Sequence, residues 1–374
     1  MANTANNERS VTLNAAKAIV KHAIACGRPI FLKGPPGIGK SDIVREIGAE
    51  QDRPVIDIRL GQYDPTDIKG LLVFNTNTGL PEWTVPSVFP QDPKSRAIIF
   101  LDELNSAPPA VQGAAYQLIL DRRVNNYTLP KDVVIIAAGN RDSDKGVTYK
   151  MPRPLANRFV HLTIRPDADA WLDWAVGNAV HPDVVGFIGA MKPKLFETNF
   201  TSGEDAFATP RSWSFVSDLL HGADQLDEVH LQDMIAGTIG SGLMTEFMSH
   251  RKYVGRMPDV KDVLDGKISK MPADAPKEVS AHYTMAVNLC YTLKDIWTET
   301  EKLKKAEDMK KWHSMIDNFL AFIMNSFSKE MIVLAATLAV SKYKLLVTPK
   351  ELKNFDKFHA MVGKSVMNAV KGAN

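Results

Sequence analysis

The feature that most constrains this chain is the eight-residue segment Gly34-Pro35-Pro36-Gly37-Ile38-Gly39-Lys40-Ser41. It follows the pattern G-x-x-x-x-G-K-[ST], whose glycines let the backbone curl tightly and turn its N–H groups toward an anion. We expect this segment and the adjoining Asp42 to bind the phosphates of a nucleotide. Lys40 would reach the β- and γ-phosphates, and the Ser41 hydroxyl would ligate Mg²⁺.

The residues on either side of the segment fit a phosphate-binding loop. Pro29-Ile30-Phe31-Leu32 is short and apolar and favours a strand, whereas residues 41–47 place Ile43, Val44 and Ile47 on one face of a helix. A helix beginning there would direct the positive end of its dipole at the phosphates. The alternative is a glycine-rich turn that carries Lys-Ser by chance.

Length and composition restrict the class of protein. A chain of 374 residues is long enough for two or three domains, since single cores rarely exceed about 250–300 residues. The 45% of hydrophobic and 24% of charged residues are ordinary globular values, which argue against wholesale disorder. The 45 Lys and Arg against 43 Asp and Glu give a net charge of +2, which argues against a protein dedicated to coating nucleic acid. This charge balance is compatible with a local basic patch.

The cysteines and apolar runs indicate where such a chain would reside. Cys26 and Cys290 lie far apart without zinc or redox spacing, and we expect both to be reduced thiols in the core. The polar first ten residues contain no apolar signal core, which predicts a cytoplasmic protein. The longest apolar run, residues 331–340, is half of the roughly 20 residues that a membrane span needs.

The first half of the chain alternates helix and strand patterns. Residues 11–26 predict an amphipathic helix, and Pro54-Val55-Ile56-Asp57-Ile58 predicts a second strand after the phosphate-loop helix. Strands separated by helices indicate a largely parallel sheet. Residues 62–93, rich in proline and with Asn77-Thr78-Gly79 between two apolar runs, predict an insertion that carries a β-hairpin.

Two adjacent carboxylates follow a buried strand. The apolar residues Ile98-Ile99-Phe100-Leu101 run into Asp102 and Glu103, at the strand end where open α/β sheets place their chemistry. Asp102 would hold Mg²⁺ through its water shell, and Glu103 would orient and polarise the water that attacks the γ-phosphate. The alternative for the pair is an acidic helix cap.

A further strand, residues 133–138, ends in Gly139-Asn140. An amide side chain in this place would hold the attacking water near the γ-phosphate. The alternative is a simple Gly-Asn turn.

The second half of the chain is predicted to be helical. Residues 165–254 indicate an α-helical lid with predicted helices over 168–179, 182–191, 212–220 and 231–248, and residues 255–277 a linker. Residues 255–374 add a C-terminal helical region of unknown role, with helices over 278–297, 301–327, 329–341 and 349–371. The last would begin with a capping box of Thr348 and Glu351. Its lysines favour a solvated face over contact with an acidic partner or nucleic acid.

Taken together, these segments resemble the AAA+ ATPases and, within them, the MoxR-like branch. The resemblance covers roughly residues 12–250, and the hairpin insertion matches the insertion in the second helix that marks this branch. It implies an α/β P-loop NTPase core with a parallel sheet flanked by helices over residues 1–164, followed by a lid over 165–254. The motifs that carry it are Gly34–Ser41, Ile98–Pro109, Asn140, Pro154–Phe159 and Ala208–Arg211.

The resemblance assigns roles to two arginines. Arg158, in the context Asn-Arg-Phe, matches the arginine finger that reaches the γ-phosphate of a neighbouring subunit, and Arg211 matches the sensor-2 arginine of the lid. A planar guanidinium suits the charge spread over transferring phosphoryl oxygens. For each arginine the alternative is a surface residue near a helix end.

These expectations describe a Mg²⁺-dependent ATPase that forms a homo-oligomeric ring, expected to be a hexamer, and remodels a protein partner. The resemblance implies a client with a von Willebrand factor A domain. One alternative is an ATP-gated scaffold with little turnover. Another is a nucleic-acid translocase, which the near-neutral charge disfavours.

Overall fold

The structure, a computed structural model, describes residues 9–141, 144, 148–197, 205–223, 226–303, 306–345 and 349–372. The chain divides into two compact units, Met1–Asp167 and Ala168–Asn374. Within the described ranges, no helix combines the length and the apolar composition that a membrane crossing requires.

The first unit is an α/β layer structure. Its elements, in chain order, are β1 (Ser10–Val11), α1 (Leu13–Ala25), β2 (Ile30–Lys33), α2 (Lys40–Glu50), β3 (Val55–Arg59), α3 (Pro65–Lys69), β4 (Leu72–Asn75), β5 (Leu80–Trp83), β6 (Ile98–Asp102), α4 (Pro109–Asp121), β7 (Arg123–Val124), β8 (Tyr127–Thr128), β9 (Val134–Gly139), α5 (Arg153–Ala156) and β10 (Val160–Ile164).

Six of the described strands form one parallel sheet in the order β1-β10-β2-β9-β6-β3. The central strands β2, β6 and β9 are near-continuous apolar runs, as expected where helices cover both faces of a parallel sheet. The predicted fold class is therefore confirmed. Because β9 lies between β2 and β6, the carboxyl ends of these three strands are neighbours at one edge of the sheet.

The predicted insertion contains an antiparallel hairpin. Strands β4 and β5 pair through Leu72↔Trp83 and Asn75↔Leu80. Its apolar side chains are exposed, with Phe74 at 66% and Leu80 at 64% of their full accessible surface. The hairpin is thus an apolar projection within the first unit.

The second unit is helical. Its helices are α6 (Ala168–Gly177), α7 (Pro182–Ala190), α8 (Pro210–His221), α9 (Glu228–Ile239), α10 (Ser241–Val254), α11 (Val260–Leu264), α12 (Val279–Leu303), α13 (Ala306–Ser326), α14 (Lys329–Thr337) and α15 (Phe355–Gly372). One hydrophobic cluster runs from Trp171 through Trp213 and Trp312 to Val366. The residues predicted as lid and as C-terminal region therefore share a core, and the division at 254/255 stays a prediction.

The structure corrects several sequence-based expectations. Val11 lies in β1, which pairs with a strand that the sequence reading missed, β10. The helix predicted over 231–248 is two helices separated by Gly240, whose φ is +89°. The last helix begins at Phe355, after a 3₁₀ turn at Pro349–Glu351, and Thr348 of the predicted capping box lies outside the described residues. Cys290 is buried, but Cys26 is exposed.

Candidate functional site

The phosphate-binding loop lies between the end of β2 and the start of α2. Gly37 and Gly39 have φ values of +72° and +92°, a left-handed conformation that an L side chain disfavours. Gly39 is the residue before α2, so this turn brings the chain directly into the helix at Lys40. The glycines of the motif thus supply a curled backbone at a helix N-terminus, which is an anion-binding geometry.

The Lys40 ammonium is folded back over the loop. Its Nζ donates to the carbonyl oxygens of Gly34 at 2.7 Å and Pro35 at 2.9 Å, and to Asn140 Oδ1 at 3.3 Å. The side chain is buried. The loop lysine and the amide at the end of β9 therefore belong to one site.

Ser41 contacts the carboxylate at the end of β6. Its Oγ donates to Asp102 Oδ2 at 3.0 Å. A hydroxyl and a carboxylate at this separation are the oxygen donors that Mg²⁺ prefers, together with phosphate oxygens and water. These two side chains therefore fit the ion that the sequence predicts.

Sheet topology explains this convergence. The loop follows β2, Asn140 follows β9, and Asp102 ends β6, and these three strands are neighbours in parallel register. Parallel strands bring their carboxyl ends to one edge, where open α/β sheets bind ligands. The edge thus joins residues that lie up to 100 positions apart in the chain.

Glu103 occupies the turn directly after β6. Its φ is +56°, which is uncommon for a non-glycine residue. The backbone N–H of Glu103 donates to Asp102 Oδ1 at 2.9 Å, and its exposed side chain approaches Gly61, where an added Cβ would lie 3.4 Å from Oε2. The carboxylate is therefore open to solvent beside the Ser41–Asp102 pair.

The remaining predicted residues of the loop frame the cradle. Pro35 and Ile38 are buried, whereas Asp42 is exposed and accepts from Arg45 Nη1 at 3.2 Å. Asp42 is thus held on the outer face of α2, paired with an arginine of its own helix. Pro36 and Gly37 are partly exposed at the turn.

The two predicted arginines stand in different units. Arg158 is exposed in the turn after α5, and Arg211 is exposed in the first turn of α8, which Thr209 and Ser212 cap reciprocally. Among the described residues, neither guanidinium has an ion pair or a side-chain hydrogen bond. Both are therefore available to contact a further ligand, and the roles assigned to them stay predictions.

One polar side chain at this edge was not predicted as a site residue. Asn105, two residues after Glu103, is buried and exchanges two hydrogen bonds with the backbone of Asn140. It lies within the motif Ile98–Pro109, but the sequence assigns it no role because its partner is 35 residues away.

A family model matches the part of the chain that carries this site. Residues 29–159 match the model of the AAA domain (dynein-related subfamily). These residues form an AAA+ ATPase domain. The match begins just before β2 and ends just before β10, so it contains the phosphate-binding loop, the Asp102–Glu103 pair, Asn140 and Arg158 of the AAA+ domain.

Curated relatives share part of the chain. Midasin from Giardia intestinalis is 29% identical over 179 residues, which are 45% of this chain and 4% of that protein. An ATP-dependent zinc metalloprotease FtsH homolog from Helicosporidium sp. subsp. Simulium jonesii is 32% identical over 127 residues, which are 33% of this chain and 8% of that protein. The chain thus spans less than a tenth of the length of these relatives.

Among solved structures, NtrX from Brucella abortus in complex with ATP aligns with a TM-score of 0.39 and 13% identity, covering 82% of this chain and 70% of that chain. The similarity of the AAA+ domain to known proteins therefore rests on the family match over residues 29–159.

Proposed function

We propose that this chain hydrolyses ATP at sites that two copies of the chain build together in a ring, expected to be hexameric, and that the cycle remodels a protein partner. The observation that carries the proposal is the convergence at one sheet edge, where Ser41 contacts Asp102 and Lys40 contacts Asn140. A phosphate cradle, a metal-binding oxygen pair and a polar amide are the parts that phosphoryl transfer to water requires.

Each side chain then has a distinct task. Lys40 and the N-terminus of α2 neutralise phosphate charge, and Glu103 orients and polarises the attacking water while Asn140 holds it. Ser41 and Asp102 would hold Mg²⁺, which supplies charge neutralisation at the β- and γ-phosphates when bound. Arg211 would neutralise phosphate charge from the same chain.

Arg158 supports sharing of the site between copies. Its guanidinium is exposed and makes no hydrogen bond or ion pair to the described residues of its own chain. Exposed arginines that act on a neighbour's transferring phosphoryl group stabilise its charge in trans. We therefore infer that Arg158 completes the site of an adjacent copy.

The hairpin β4–β5 favours a protein partner over nucleic acid. Residues 71–85 carry a single charged side chain, Glu82, and expose several large apolar ones. Nucleic-acid binding depends on Lys and Arg, whereas exposed apolar patches are typical of protein interfaces. A protein with a von Willebrand factor A domain, suggested by the MoxR-like resemblance, is the first client to test.

The proposal is tested by measuring ATP turnover per subunit across a dilution series. A shared site predicts that turnover per subunit rises with protein concentration as rings assemble. Glu103→Gln should abolish most turnover and retain ATP binding, since it removes the group that polarises water but leaves the cradle intact. Glu307→Gln, an exposed change in the second unit, is the matched control and should behave like the original chain.

Four outcomes would overturn parts of the proposal. Turnover per subunit that is independent of dilution contradicts shared sites, and unchanged turnover in Glu103→Gln contradicts the role of that carboxylate. ATP-dependent assembly with negligible turnover favours the scaffold alternative. Stimulation by single-stranded or duplex DNA or by RNA that falls steeply with salt would favour a translocase.

A further inference from the structure

Asn105 holds the backbone of Asn140 through both halves of its side-chain amide. Its Nδ2 donates to the Asn140 carbonyl oxygen at 2.8 Å, and its Oδ1 accepts from the Asn140 N–H at 3.1 Å. Asn105 is 6% exposed, so water competes little for these groups. One side chain thereby makes the pair of hydrogen bonds that a neighbouring strand would make.

The side chain replaces a strand that has turned away. Strands β6 and β9 pair up to Leu101↔Ala137, and Leu104 N then donates to the Ala138 carbonyl at 3.0 Å. At Glu103 the backbone enters the left-handed region and curls into a turn. The Asn105 amide continues the pairing by reaching Asn140, so it ties the turn that carries Glu103 to the residue after β9.

The surroundings hold both the backbone and the side chain of Asn105. The backbone N–H of Tyr149 donates to the main-chain carbonyl oxygen of Asn105 at 2.6 Å, which anchors the backbone from which the amide extends. At Gly139 an added Cβ would lie 2.0 Å from Asn105 Oδ1 and 2.8 Å from its Cγ. The absence of a side chain at 139 therefore provides the space that the amide occupies.

We propose that Asn105 is a positioning residue for hydrolysis, because it sets where the Asn140 amide stands relative to Lys40 and to the attacking water. Asn140 Oδ1 accepts from Lys40 Nζ at 3.3 Å, so a displaced Asn140 backbone would move this contact. The inference rests on the proposed function. A purely structural role, in which Asn105 only satisfies the backbone groups of Asn140, is the competing explanation.

The test compares Asn105→Leu with a matched control. Asn105→Leu removes both hydrogen bonds and keeps the same number of side-chain heavy atoms, and Asn105→Asp keeps an acceptor for the Asn140 N–H but loses the donor. Gln112→Met removes another buried amide of the same unit, which donates to the Ala107 carbonyl at 3.0 Å. All chains are assayed in full length for kcat, ATP affinity and thermal stability.

The positioning role predicts a specific pattern. In Asn105→Leu kcat falls on the order of 10–100-fold, the range expected when a catalytic group is misplaced by about 1 Å, while ATP affinity changes less than about threefold. The kcat of Asn105→Asp should lie between that of Asn105→Leu and that of the original chain. In Gln112→Met stability drops and kcat stays within about twofold of the original chain.

A double-mutant cycle with Asn140→Ala separates the two explanations. If Asn105 acts through Asn140, Asn105→Leu causes no further loss of kcat in the Asn140→Ala background, although it still lowers the thermal midpoint. If the two losses of kcat multiply, Asn105 acts through general stability, and the positioning role is overturned. An unchanged kcat in Asn105→Leu also overturns it.

If the chain binds ATP but does not hydrolyse it, the proposed function is refuted and kcat can no longer report on Asn105. The positioning of Asn140 is then tested by a second measurement. The ¹H–¹⁵N signals of the Asn140 side-chain amide, identified by their loss in Asn140→Ala, report its surroundings in the nucleotide-free chain. They should shift in Asn105→Leu and stay in place in Gln112→Met. Signals that do not move in Asn105→Leu contradict the inference.

Discussion

Replacing Gly139 by alanine is expected to destabilise the first unit strongly. An added Cβ would lie 2.0 Å from Asn105 Oδ1 and 2.8 Å from Phe31 Cζ. The first distance is about 1.4 Å shorter than the 3.4 Å at which ordinary contact begins. The clash arises at the end of β9, where the strand passes beneath the candidate site.

Two relaxations are open to this variant, and both are costly. If the Asn105 amide swings away, the N–H and C=O of the partly buried Asn140 lose their partners, at up to about 1–3 kcal/mol for each unsatisfied group. If the amide stays, β9 must shift against Phe31, and such overpacking costs about 1–3 kcal/mol. We therefore expect a loss of about 2–4 kcal/mol in the stability of the first unit.

Hydrogen exchange of the β9 amides measures this loss within the unit concerned, because the two units need not unfold together. Gly113→Ala is the matched control. Gly113 is exposed in α4, and an added Cβ meets nothing within 4 Å. This change should stabilise the unit by about 0.5–1 kcal/mol, as alanine does for glycine in a helix. A Gly139→Ala chain within about 0.5 kcal/mol of the original would refute the reasoning.

Two further predictions concern the metal site and the pH dependence of the helical unit. Ser41→Ala should weaken the Mg²⁺ dependence of ATP binding, measured as the ratio of ATP affinities with and without Mg²⁺, since a hydroxyl ligand beside Asp102 is lost; an unchanged ratio contradicts its role. Burial lowers the pKa of His181 and of His250 below the ordinary value of 6.5, although Asp183 acts in the opposite direction. Because the unfolded chain then binds protons more readily, the thermal midpoint of the second unit should fall as the pH decreases below about 6.5, and His250→Gln should make this fall shallower; a midpoint that rises on acidification would contradict the assignment.

The parts of the fold that the sequence predicts are those with local signals. The loop Gly34–Ser41, the strand ending in Asp102 and the hairpin each carry a pattern within a few residues, and β2, β6 and β4–β5 lie where these patterns indicate. Strand β10 has a visible alternation, Val-His-Leu-Thr-Ile, but this five-residue segment is not among the predicted strands. Two residues, as in β1, are too few to show a period.

What could not be predicted depends on tertiary contacts. The start of α15 at Phe355 follows from a 3₁₀ turn that competes with the proline-first helix signal. The role of Asn105 could not be predicted from the motif Ile98–Pro109, because its partner Asn140 is brought close only by the pairing of β6 with β9. The left-handed conformation of Glu103 is likewise set by the turn that links these strands.

The most direct test of a site shared between copies is to mix two inactive variants. Arg158→Ala lacks the arginine for its neighbour, and Glu103→Gln lacks its own water-polarising group. In mixed rings, an Arg158→Ala subunit that receives the arginine of a Glu103→Gln subunit has a complete site, and random placement at equal amounts makes about a quarter of the interfaces complete. The account predicts that ATP turnover returns to about a quarter of the original rate on mixing. Turnover that stays at the sum of the two inactive chains, although mixed rings form, would contradict it.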